Sequence, residues 1–423
     1  MEICIKPGKL HGMFLAPASK SEAHRRMICA GLSEKETVLE GFMESEDMAA
    51  TRNCLRALGA SIVQEGECLR VQGTAKHSYS LPVMDCGESG STLRFFVPIA
   101  MARSGGGVFR MHGRLGQRPM DVYRDLFVPQ GASWRMGIGA DGAAELHVTG
   151  RLQHGDYVLP GNVSSQFVSG LLFALPLLDG ESTLTVQPPV ESAAYIRMTL
   201  KALQESGVIV EETAPFAWRI PGKQNYQAKD GQLTGDYSQA AVFLCAAALG
   251  HEIITAGLSP SSIQGDRAVL AHLRTLGAQV QEEENAIRIV SPACHGTTLD
   301  MRDCPDIAPM LALVCQLMPG ESRLTGCGRL RLKECDRLAT TAEILNALGG
   351  NAAIEGDDLV LRGVKNLQGG VTVDSHNDHR MVMLASIAAL QCASPVCIRG
   401  AESLGKSWPG YLDVFRALGG QAE

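Results

Sequence analysis

The sequence predicts a mixed α/β (α+β) fold built from six copies of one supersecondary unit. Two periodic features support this prediction: a helix-closing pattern of the type L-x-x-L-G, and a set of helix starts that recurs in register with it. The closing pattern recurs every 70 to 76 residues, at Gly59, Gly131, Gly207, Gly277, Gly349 and Gly419. Because the repetition is so regular, it is a better guide to the organisation of the chain than a domain count based on length.

The helix starts are small or polar residues followed by apolar segments rich in Ala, Leu, Val and Met. They recur every 70 to 75 residues, at Lys20, Gly90, Ser165, Asp236, Asp306 and Asp378. We therefore expect each unit to contain one buried helix with an N-cap at its start. Short β-branched runs follow several of these helices, for example at residues 208–210 and 287–290. Each unit should therefore combine strands with two helices.

Composition narrows the class of protein. The chain has 423 residues, of which 45% are hydrophobic and 20% charged, and no apolar run reaches the roughly 18 to 20 residues of a membrane helix. The N-terminus resembles neither a signal peptide nor a transit peptide, which predicts a cytoplasmic location. The 13 cysteines lack a C-x-x-C pair, so we expect neither disulfides nor a structural zinc. A net charge of -7 argues against a nucleic-acid surface.

The most informative stretch is residues 333–350, an amphipathic helix that is expected to begin near Asp336. Lys333 and Arg337 are four residues apart and share one face, with Glu334 beside them. Two cations and a carboxylate therefore lie where backbone N–H groups already favour an anion. A capping box with solvated charges explains the same residues without any function, since charged first turns are common.

Other helix starts carry similar groups. Residues 17–26 place a hydroxyl, an ammonium and a guanidinium together, and residues 87–94 form a glycine-rich turn into a helix. Residues 112–120 put two arginines in a loop, and residues 164–166 and 191–195 supply neutral hydrogen-bonding groups. Each of these is also explained as an ordinary cap or an exposed loop. Together they predict a site for multiply anionic small molecules with acid/base chemistry.

The C-terminal third adds two further helix starts. Asp306 follows Pro305 and precedes an apolar helix, where it can also be a plain N-cap. Residues 374–380 again place charged side chains at a helix start. A metal site at His376 and His379 is not predicted, because the sequence offers no further cluster of ligands.

Six motifs in this order resemble the 5-enolpyruvylshikimate-3-phosphate synthase (3-phosphoshikimate 1-carboxyvinyltransferase) family. They are K-S-x-x-x-R at 20–25, G-x-S-G-S-T-x-R at 87–94, G-x-R-P at 116–119, S-S-Q at 164–166, K-E-x-D-R at 333–337 and N-D-H-R at 377–380. The resemblance implies the enolpyruvyl transferase fold, an inverse barrel with two domains of three βαβαββ units each. One domain would be discontinuous, comprising residues 1–18 and 235–423, and the other would comprise residues 19–234. The active site would lie in the cleft between them.

The resemblance also implies which residues bind the two substrates. Shikimate 3-phosphate would be held by Lys20, Ser21, Arg25, Ser164, Ser165, Gln166, Ser192, Tyr195, Asp306 and Lys333. Phosphoenolpyruvate would be held by Lys20, Gly90, Arg118, Gln166, Arg337, Arg380 and Lys406. Asp306 would accept the proton of the ring 5-hydroxyl, Glu334 would move the carbon-bound proton, and Lys20 would stabilise charge. No metal or organic cofactor, nucleic acid or membrane is implied, and we expect a monomer.

Two other functions stay open. The sister family, UDP-N-acetylglucosamine enolpyruvyl transferase, carries a cysteine five residues before the loop Arg-Pro, where this chain has Gly113. A non-catalytic repeat protein that binds phosphorylated metabolites would keep the cations without needing Asp306 or Glu334. The chain also departs from the family pattern at Glu88 and Arg329, so contacts at those positions are not carried over.

Overall fold

A computed structural model of the chain describes residues 1–74 and 80–423. Among these residues, the α-helices are α1 (Lys20–Leu32), α2 (Glu46–Ala57), α3 (Gly90–Ser104), α4 (Asp121–Phe127), α5 (Ser165–Ala174), α6 (Ala193–Glu205), α7 (Tyr237–Ala248), α8 (Ala268–Thr275), α9 (Ala308–Gln316), α10 (Arg337–Ala347), α11 (His379–Leu390) and α12 (Tyr411–Ala417). In the same part of the chain, no helix combines the length and the apolar character needed to cross a membrane.

The strands are short and fall between these helices. They are β1 (Glu2–Ile5), β2 (His11–Leu15), β3 (Glu36–Glu40), β4 (Ser61–Glu65), β5 (Cys68–Gln72), β6 (Val83–Asp85), β7 (Gly106–Met111), β8 (Ser133–Ile138), β9 (Ala144–Thr149), β10 (Asp156–Pro160), β11 (Ser182–Gln187), β12 (Glu211–Ala214), β13 (Ala217–Ile220), β14 (Gly231–Gln232), β15 (Glu252–Ala256), β16 (Gln279–Glu282), β17 (Ala286–Ser291), β18 (Thr298–Asp300), β19 (Glu321–Thr325), β20 (Ala352–Glu355), β21 (Asp358–Arg362), β22 (Thr372–Asp374) and β23 (Val396–Arg399).

The chain divides into two compact units. Unit 1 consists of Met1–Ser19 and Thr234–Glu423, and unit 2 consists of Lys20–Leu233. Over the described residues each unit contains three sheets. Those of unit 2 have the strand orders β6-β7-β9-β8, β10-β11-β13-β12 and β14-β3-β5-β4, and those of unit 1 the orders β18-β19-β21-β20, β16-β17-β15-β2 and β1-β23-β22.

One repeat block illustrates how the strands of the other blocks are arranged. Along the chain, β10, α5, β11, α6, β12 and β13 form a βαβαββ block in which β10 and β11 are parallel and β13 lies antiparallel to both β11 and β12. The blocks β6 to β9 and β18 to β21 pair in the same way. The fold class predicted from the sequence is therefore confirmed.

Two strands lie just before the points where the chain passes from one unit to the other. β2 leads along the chain into α1, yet it pairs with β15 of unit 1. β14 leads into α7, yet it pairs with β3 of unit 2. Each strand therefore completes a sheet whose other strands lie far away in sequence, and neither sheet is formed by a continuous segment.

The first helix of each block lies in the core. In unit 1, α7, α9 and α11 are buried along their whole length. Beyond their first turns these segments are almost entirely apolar, which is typical of a helix without a solvent face. The second helices, such as α2 and α8, bury only one stripe.

Both periodic signals in the sequence correspond to helix ends. Helices α1, α3 and α5 begin at Lys20, Gly90 and Ser165. Asp236 and Asp378 are the N-caps of α7 and α11, and Asp306 lies in the 3-10 turn Pro305–Ile307 that precedes α9.

The six glycines of the closing pattern adopt φ values from +73° to +102° just after a helix ends. Glycine is favoured at this position because a residue without Cβ enters the left-handed region at little cost.

The expectation that the chain has no disulfide is wrong. Cys4 and Cys397 are joined by a disulfide, and they occupy directly paired positions on the antiparallel strands β1 and β23. The two residues are 393 positions apart, so their pairing depends on the meeting of the two chain ends in one sheet. No cysteine spacing in the sequence indicates this contact.

Gly170 lies where α5 packs closely against α3 and α4. A Cβ at this position would lie 2.2 Å from the Tyr123 hydroxyl and 2.3 Å from the Arg94 carbonyl oxygen. Because the carbonyl belongs to a helix backbone, we expect Gly170→Ala to destabilise the protein by about 2 kcal/mol or more. Urea unfolding followed by circular dichroism measures this as a lower midpoint.

Gly8→Ala is the matched control, because nothing lies within 4 Å of the corresponding Cβ position. The two variants should therefore differ clearly. Equal midpoints for Gly170→Ala and the parent would show that α5 can move away from α3 at no cost.

Candidate functional site

Unit 2 presents Lys20 at the first residue of α1. Its ammonium donates to Asp47 Oδ2 at 2.7 Å, and the two side chains are only 21% and 14% exposed. Asp47 lies in the first turn of α2, which is capped by Ser45. The carboxylate therefore holds a lysine at a helix N-terminus, which is otherwise an unfavourable place for a cation.

Arg25 is buried one turn further along α1. Its Nε donates to Thr199 Oγ1 at 2.9 Å, its Nη1 to the Ser21 carbonyl at 2.8 Å and its Nη2 to the Tyr195 carbonyl at 2.9 Å. The guanidinium also lies 5.5 Å from the centre of the Phe95 ring. Burial lowers the pKa of Arg25 to about 10, so it stays charged at neutral pH.

The predicted residues Gly90 and Arg118 lie against each other. A Cβ at Gly90 would come within 2.7 Å of Arg118 Nη1, so the guanidinium packs directly on the start of α3. Ser89 caps this helix by accepting from the Thr92 N–H. Because glycine has no side chain, Arg118 approaches the N-terminus of α3 more closely than it could if any other residue stood at position 90.

Gln166 is held by two side chains of α3. Its Nε2 donates to Ser91 Oγ at 2.8 Å, and its Oε1 accepts from Arg94 Nη1 at 2.6 Å. Ser164 caps α5, and Ser165 is the first residue of that helix. The amide of Gln166 is thus fixed in one orientation by Ser91 and Arg94.

Ser192 and Tyr195 lie at the start of α6. Ser192 is buried and adopts the left-handed conformation, with φ of 54°. The Tyr195 carbonyl accepts from Arg25, so the start of α6 is tied to α1. All ten residues of unit 2 that were predicted to bind substrate therefore lie near the starts of α1, α3, α5 and α6 or in the loop that contains Arg118.

Unit 1 gathers its charges around Arg337, the first residue of α10. Its Nη1 donates to Asp306 Oδ1 at 2.8 Å and its Nη2 to Glu334 Oε2 at 2.8 Å. Lys333 Nζ donates to the same Asp306 oxygen at 2.9 Å. The structure therefore brings together the four charged residues predicted from the stretch 333–337 and the Asp306 turn.

A third carboxylate, Asp378, completes the surroundings of Arg337. Its Oδ2 accepts from Arg337 Nε at 2.7 Å and its Oδ1 from Nη2 at 3.2 Å. Asp378 is fully buried, and Arg337 is only 2% exposed. A side-on pair of this kind fixes both the position and the plane of the guanidinium.

Arg380 and Lys406 lie near this cluster but bond elsewhere. Arg380 Nη1 donates to the Ser238 carbonyl at 2.6 Å, and its Nη2 contacts the Ser238 hydroxyl. Lys406 Nζ donates to the Asn377 carbonyl at 2.7 Å. Both cations are therefore attached to the starts of α7 and α11.

The charges in this cluster shift one another's pKa values. Burial raises the pKa of the Asp306 carboxyl, but Lys333 and Arg337 lower it by more, so it lies well below the usual value for aspartate. Burial lowers the pKa of Lys333, although Asp306 opposes this shift. Burial also disfavours the charge on Arg337, but Asp378, Glu334 and Asp306 raise its pKa well above the usual value.

Sequence reasoning gave no site role to two of the carboxylates that hold the cations. Asp47 and Asp378 each occupy a helix start, where a carboxylate is most simply explained as a capping group. Arg94 belongs to the glycine-rich motif but was not assigned a role. The one sequence signal for these contacts is that Lys or Arg and carboxylates both occur at helix starts. This signal identifies the partners only once the fold shows which helix starts lie together.

Over the described residues, one group of three possible metal-ligating side chains lies close together: Glu2, Cys4 and Cys397. The two cysteines are already joined in the disulfide. This group therefore does not offer the set of free thiolates that a metal ion would need.

Solved structures of other proteins share this fold. EPSP synthase from Acinetobacter baumannii matches with a TM-score of 0.79 and 24% identity, over 100% of this chain and 99% of the other. The enolpyruvyl transferase NikO from Streptomyces tendae matches with a TM-score of 0.78 and 18% identity, over 100% and 98% of the two chains. At these identities the likeness concerns the fold, which is that of the enolpyruvyl transferases.

The sequence gives a narrower assignment. Residues 5–415 match the family described as EPSP synthase (3-phosphoshikimate 1-carboxyvinyltransferase). The 3-phosphoshikimate 1-carboxyvinyltransferase of Clostridium botulinum (strain Alaska E43 / Type E3) is 40% identical over 98% of this chain and 97% of its own length. That of Clostridium perfringens (strain ATCC 13124) is 39% identical over 99% and 98% of the two chains. The chain belongs to the EPSP synthase family.

The depressed pKa of Asp306 predicts a pH-dependent contribution to stability. Asp306→Asn removes a carboxylate that accepts from two cations, so we expect a loss of about 2 kcal/mol at neutral pH. Since the folded-state pKa lies below the unfolded one, this contribution is complete above the pKa of an unfolded aspartate, about 4, and is lost as the pH falls further.

Urea unfolding of the parent and of Asp306→Asn at several pH values measures the difference. The gap in unfolding free energy should be the same at pH 7 and at pH 5.5 and should narrow toward pH 3. A gap that is constant down to pH 3 would contradict the ion pairing of Asp306 with Lys333 and Arg337.

Proposed function

We propose that this protein transfers the enolpyruvyl group of phosphoenolpyruvate to the 5-hydroxyl of shikimate 3-phosphate, releasing phosphate. Membership of the EPSP synthase family supports the substrates. One structural observation supports the chemistry: Asp306 and Glu334 both accept hydrogen bonds from Arg337, with Lys333 alongside. A cationic cluster that holds two carboxylates is suited to anionic substrates and to proton transfer.

The two substrates would use different groups. Unit 2 offers cations and neutral donors at its helix starts, which suit the phosphate and the hydroxyls of shikimate 3-phosphate: Lys20, Ser21, Arg25, Ser164, Ser165, Gln166, Ser192 and Tyr195. Unit 1 would add Asp306 and Lys333. Phosphoenolpyruvate would be bound by Lys20, Gly90, Arg118 and Gln166 of unit 2 and by Arg337, Arg380 and Lys406 of unit 1. A cleft between the two domains as the place of binding stays a prediction.

The reaction requires two proton carriers. Addition of the ring hydroxyl to C2 of phosphoenolpyruvate releases one proton, which Asp306 would accept. C3 gains a proton from Glu334, and the tetrahedral intermediate then loses phosphate and returns a methyl proton to Glu334. Lys20 and Lys333 would stabilise the negative charge that develops on the reacting oxygens.

Asp306 is a weak base as long as it bonds both Lys333 and Arg337. Substrate anions that take over bonds from these two cations would raise the pKa of Asp306 toward its usual value. The carboxylate would then become basic only when the substrates are in place. This order would avoid protonation of Asp306 by solvent before the reaction.

The alternatives are less well supported by particular contacts. The sister enzyme has a cysteine at the position of Gly113, where a Cβ would lie 2.5 Å from the carboxyl group of Glu88. Gly113 also has φ of +53°, which disfavours a cysteine. A non-catalytic binder would not need carboxylates beside its anion-binding cations, where they oppose binding.

We expect phosphate release only when shikimate 3-phosphate and phosphoenolpyruvate are both present, and we expect it to persist in EDTA. A colorimetric phosphate assay on the purified protein measures this. Release with UDP-N-acetylglucosamine in place of shikimate 3-phosphate would assign the chain to the sister activity. No release with either acceptor would favour a binding protein. The monomeric state and the cytoplasmic location stay predictions.

Glu334→Gln should reduce turnover about 100-fold to 10,000-fold, the usual contribution of a general acid or base. Glutamine can still accept from Arg337 and has nearly the helix propensity of glutamate, so folding and shikimate 3-phosphate binding should change little. Steady-state kinetics and a binding titration measure the two effects separately.

Glu343→Gln is the matched control, because Glu343 lies on the exposed side of the neighbouring helix α10. It should keep parental turnover. If Glu334→Gln retains more than about a tenth of the parental rate, below the usual range for such groups, then Glu334 is only a charge partner of Arg337. Asp306 would then be the first candidate for both proton transfers.

A further inference from the structure

The guanidinium of Arg337 has two differently occupied edges. The edge formed by Nε and Nη2 faces Asp378, at 2.7 Å and 3.2 Å. The edge formed by Nη1 and Nη2 faces Asp306 and Glu334, each at 2.8 Å. One arginine therefore bonds two proposed proton carriers on one edge and a third carboxylate, with no assigned role, on the other.

The two edges differ in burial. Asp378 is 0% exposed, whereas Asp306 and Glu334 are 23% and 18% exposed. A ligand can thus reach the Nη edge by displacing Asp306 and Glu334. The Nε edge is closed to it, because the carboxylate that occupies it lies in the core.

Asp378 is also held by groups other than Arg337. Its Oδ1 accepts from the Arg380 N–H at 2.8 Å as the N-cap of α11, and its Oδ2 accepts from Cys335 Sγ at 3.5 Å. The carboxylate is therefore anchored to the start of α11 whether or not Arg337 is present. It offers Arg337 a fixed support that does not move when the bonds on the other edge change.

We propose that Asp378 is a positioning residue, which holds the Nε edge of Arg337 while the Nη edge is exchanged between Asp306 and Glu334 and the anionic groups of phosphoenolpyruvate. This inference rests on the proposed function. Arg337 keeps its place through the exchange, and binding of one substrate releases the two carboxylates that the reaction needs. The same backbone bond fixes the first turn of α11, to which Arg380 belongs.

Asp378→Asn tests this role. Asparagine caps a helix as well as aspartate does but cannot pair with both donors of the Arg337 edge. The guanidinium would then be drawn toward Asp306 and Glu334, away from the position that phosphoenolpyruvate needs. We expect the KM for phosphoenolpyruvate to rise about 10-fold to 100-fold, as misplacement of a binding group does. The Kd of shikimate 3-phosphate should change less than about threefold, well within one power of ten.

The direction in which the KM for phosphoenolpyruvate changes distinguishes a positioning role of Asp378 from a purely electrostatic effect of its charge. Removing a negative charge near a site for an anion would by itself strengthen phosphoenolpyruvate binding and lower the KM. A KM that falls or stays the same therefore overturns the proposal.

Asp336→Asn is the matched control. Asp336 is also an N-cap, on the neighbouring helix α10, where it accepts from the Ala339 N–H and lies 3.5 Å from Arg331. The substitution keeps the cap and should leave both substrate constants unchanged. Inactive parent protein would reject the proposed function, whereas an active parent with equal constants for Asp378→Asn and Asp336→Asn would reject only the role of Asp378.

A measurement on the parent protein covers the case in which Asp378→Asn does not fold. The Nε–H signal of Arg337 in an arginine-labelled nuclear magnetic resonance spectrum is identified by its loss in Arg337→Lys. Addition of phosphoenolpyruvate alone, which cannot react without shikimate 3-phosphate, should leave this signal slow to exchange with water. Rapid exchange after the addition would show that the Nε edge opens, and it would overturn the proposal.

Discussion

The arrangement of unit 1 depends on one buried positive charge. Arg337 is 2% exposed, and a charge removed from water in this way costs several kcal/mol unless it is paired. The partners come from three separate chain segments: the turn before α9, the turn before α10 and the N-cap of α11. Because one guanidinium needs all three, it holds three helix starts at fixed distances. The carboxylates in turn would repel one another without it.

Two buried arginines of unit 2 are instead held by neutral groups. Arg25 bonds two carbonyls and one hydroxyl, so its charge is held in place without being neutralised. Arg94 likewise bonds the amide of Gln166 and the Pro119 carbonyl. Arg25 thus keeps its positive charge in unit 2, whereas Asp306 and Glu334, the proposed proton carriers, are paired with cations in unit 1.

The periodic features of this fold could be predicted because each has a local cause. A glycine after a helix and a polar residue before one are required by the backbone itself, so Gly349 and Asp378 are visible in the sequence as helix ends. The charges at 333–337 were visible for the same reason. Their partners were not, since the contact of Asp378 with Arg337 and that of Lys20 with Asp47 depend on packing between helices. The pairing of Cys4 with Cys397 needs both ends of the chain and has no local signal.

Pairing between strands that are far apart in sequence imposes an order on folding during synthesis at the ribosome. Unit 2 has all of its strands once β14 has emerged, slightly past the middle of the chain. Strand β1, by contrast, has no partner until β23, the last strand of all, has been made. At about 5 to 20 residues per second, the 393 positions from Cys4 in β1 to Cys397 in β23 take on the order of 20 to 80 s to synthesise. β1 therefore waits at least that long for the strand it pairs with, and its sheet closes only after β23 has emerged.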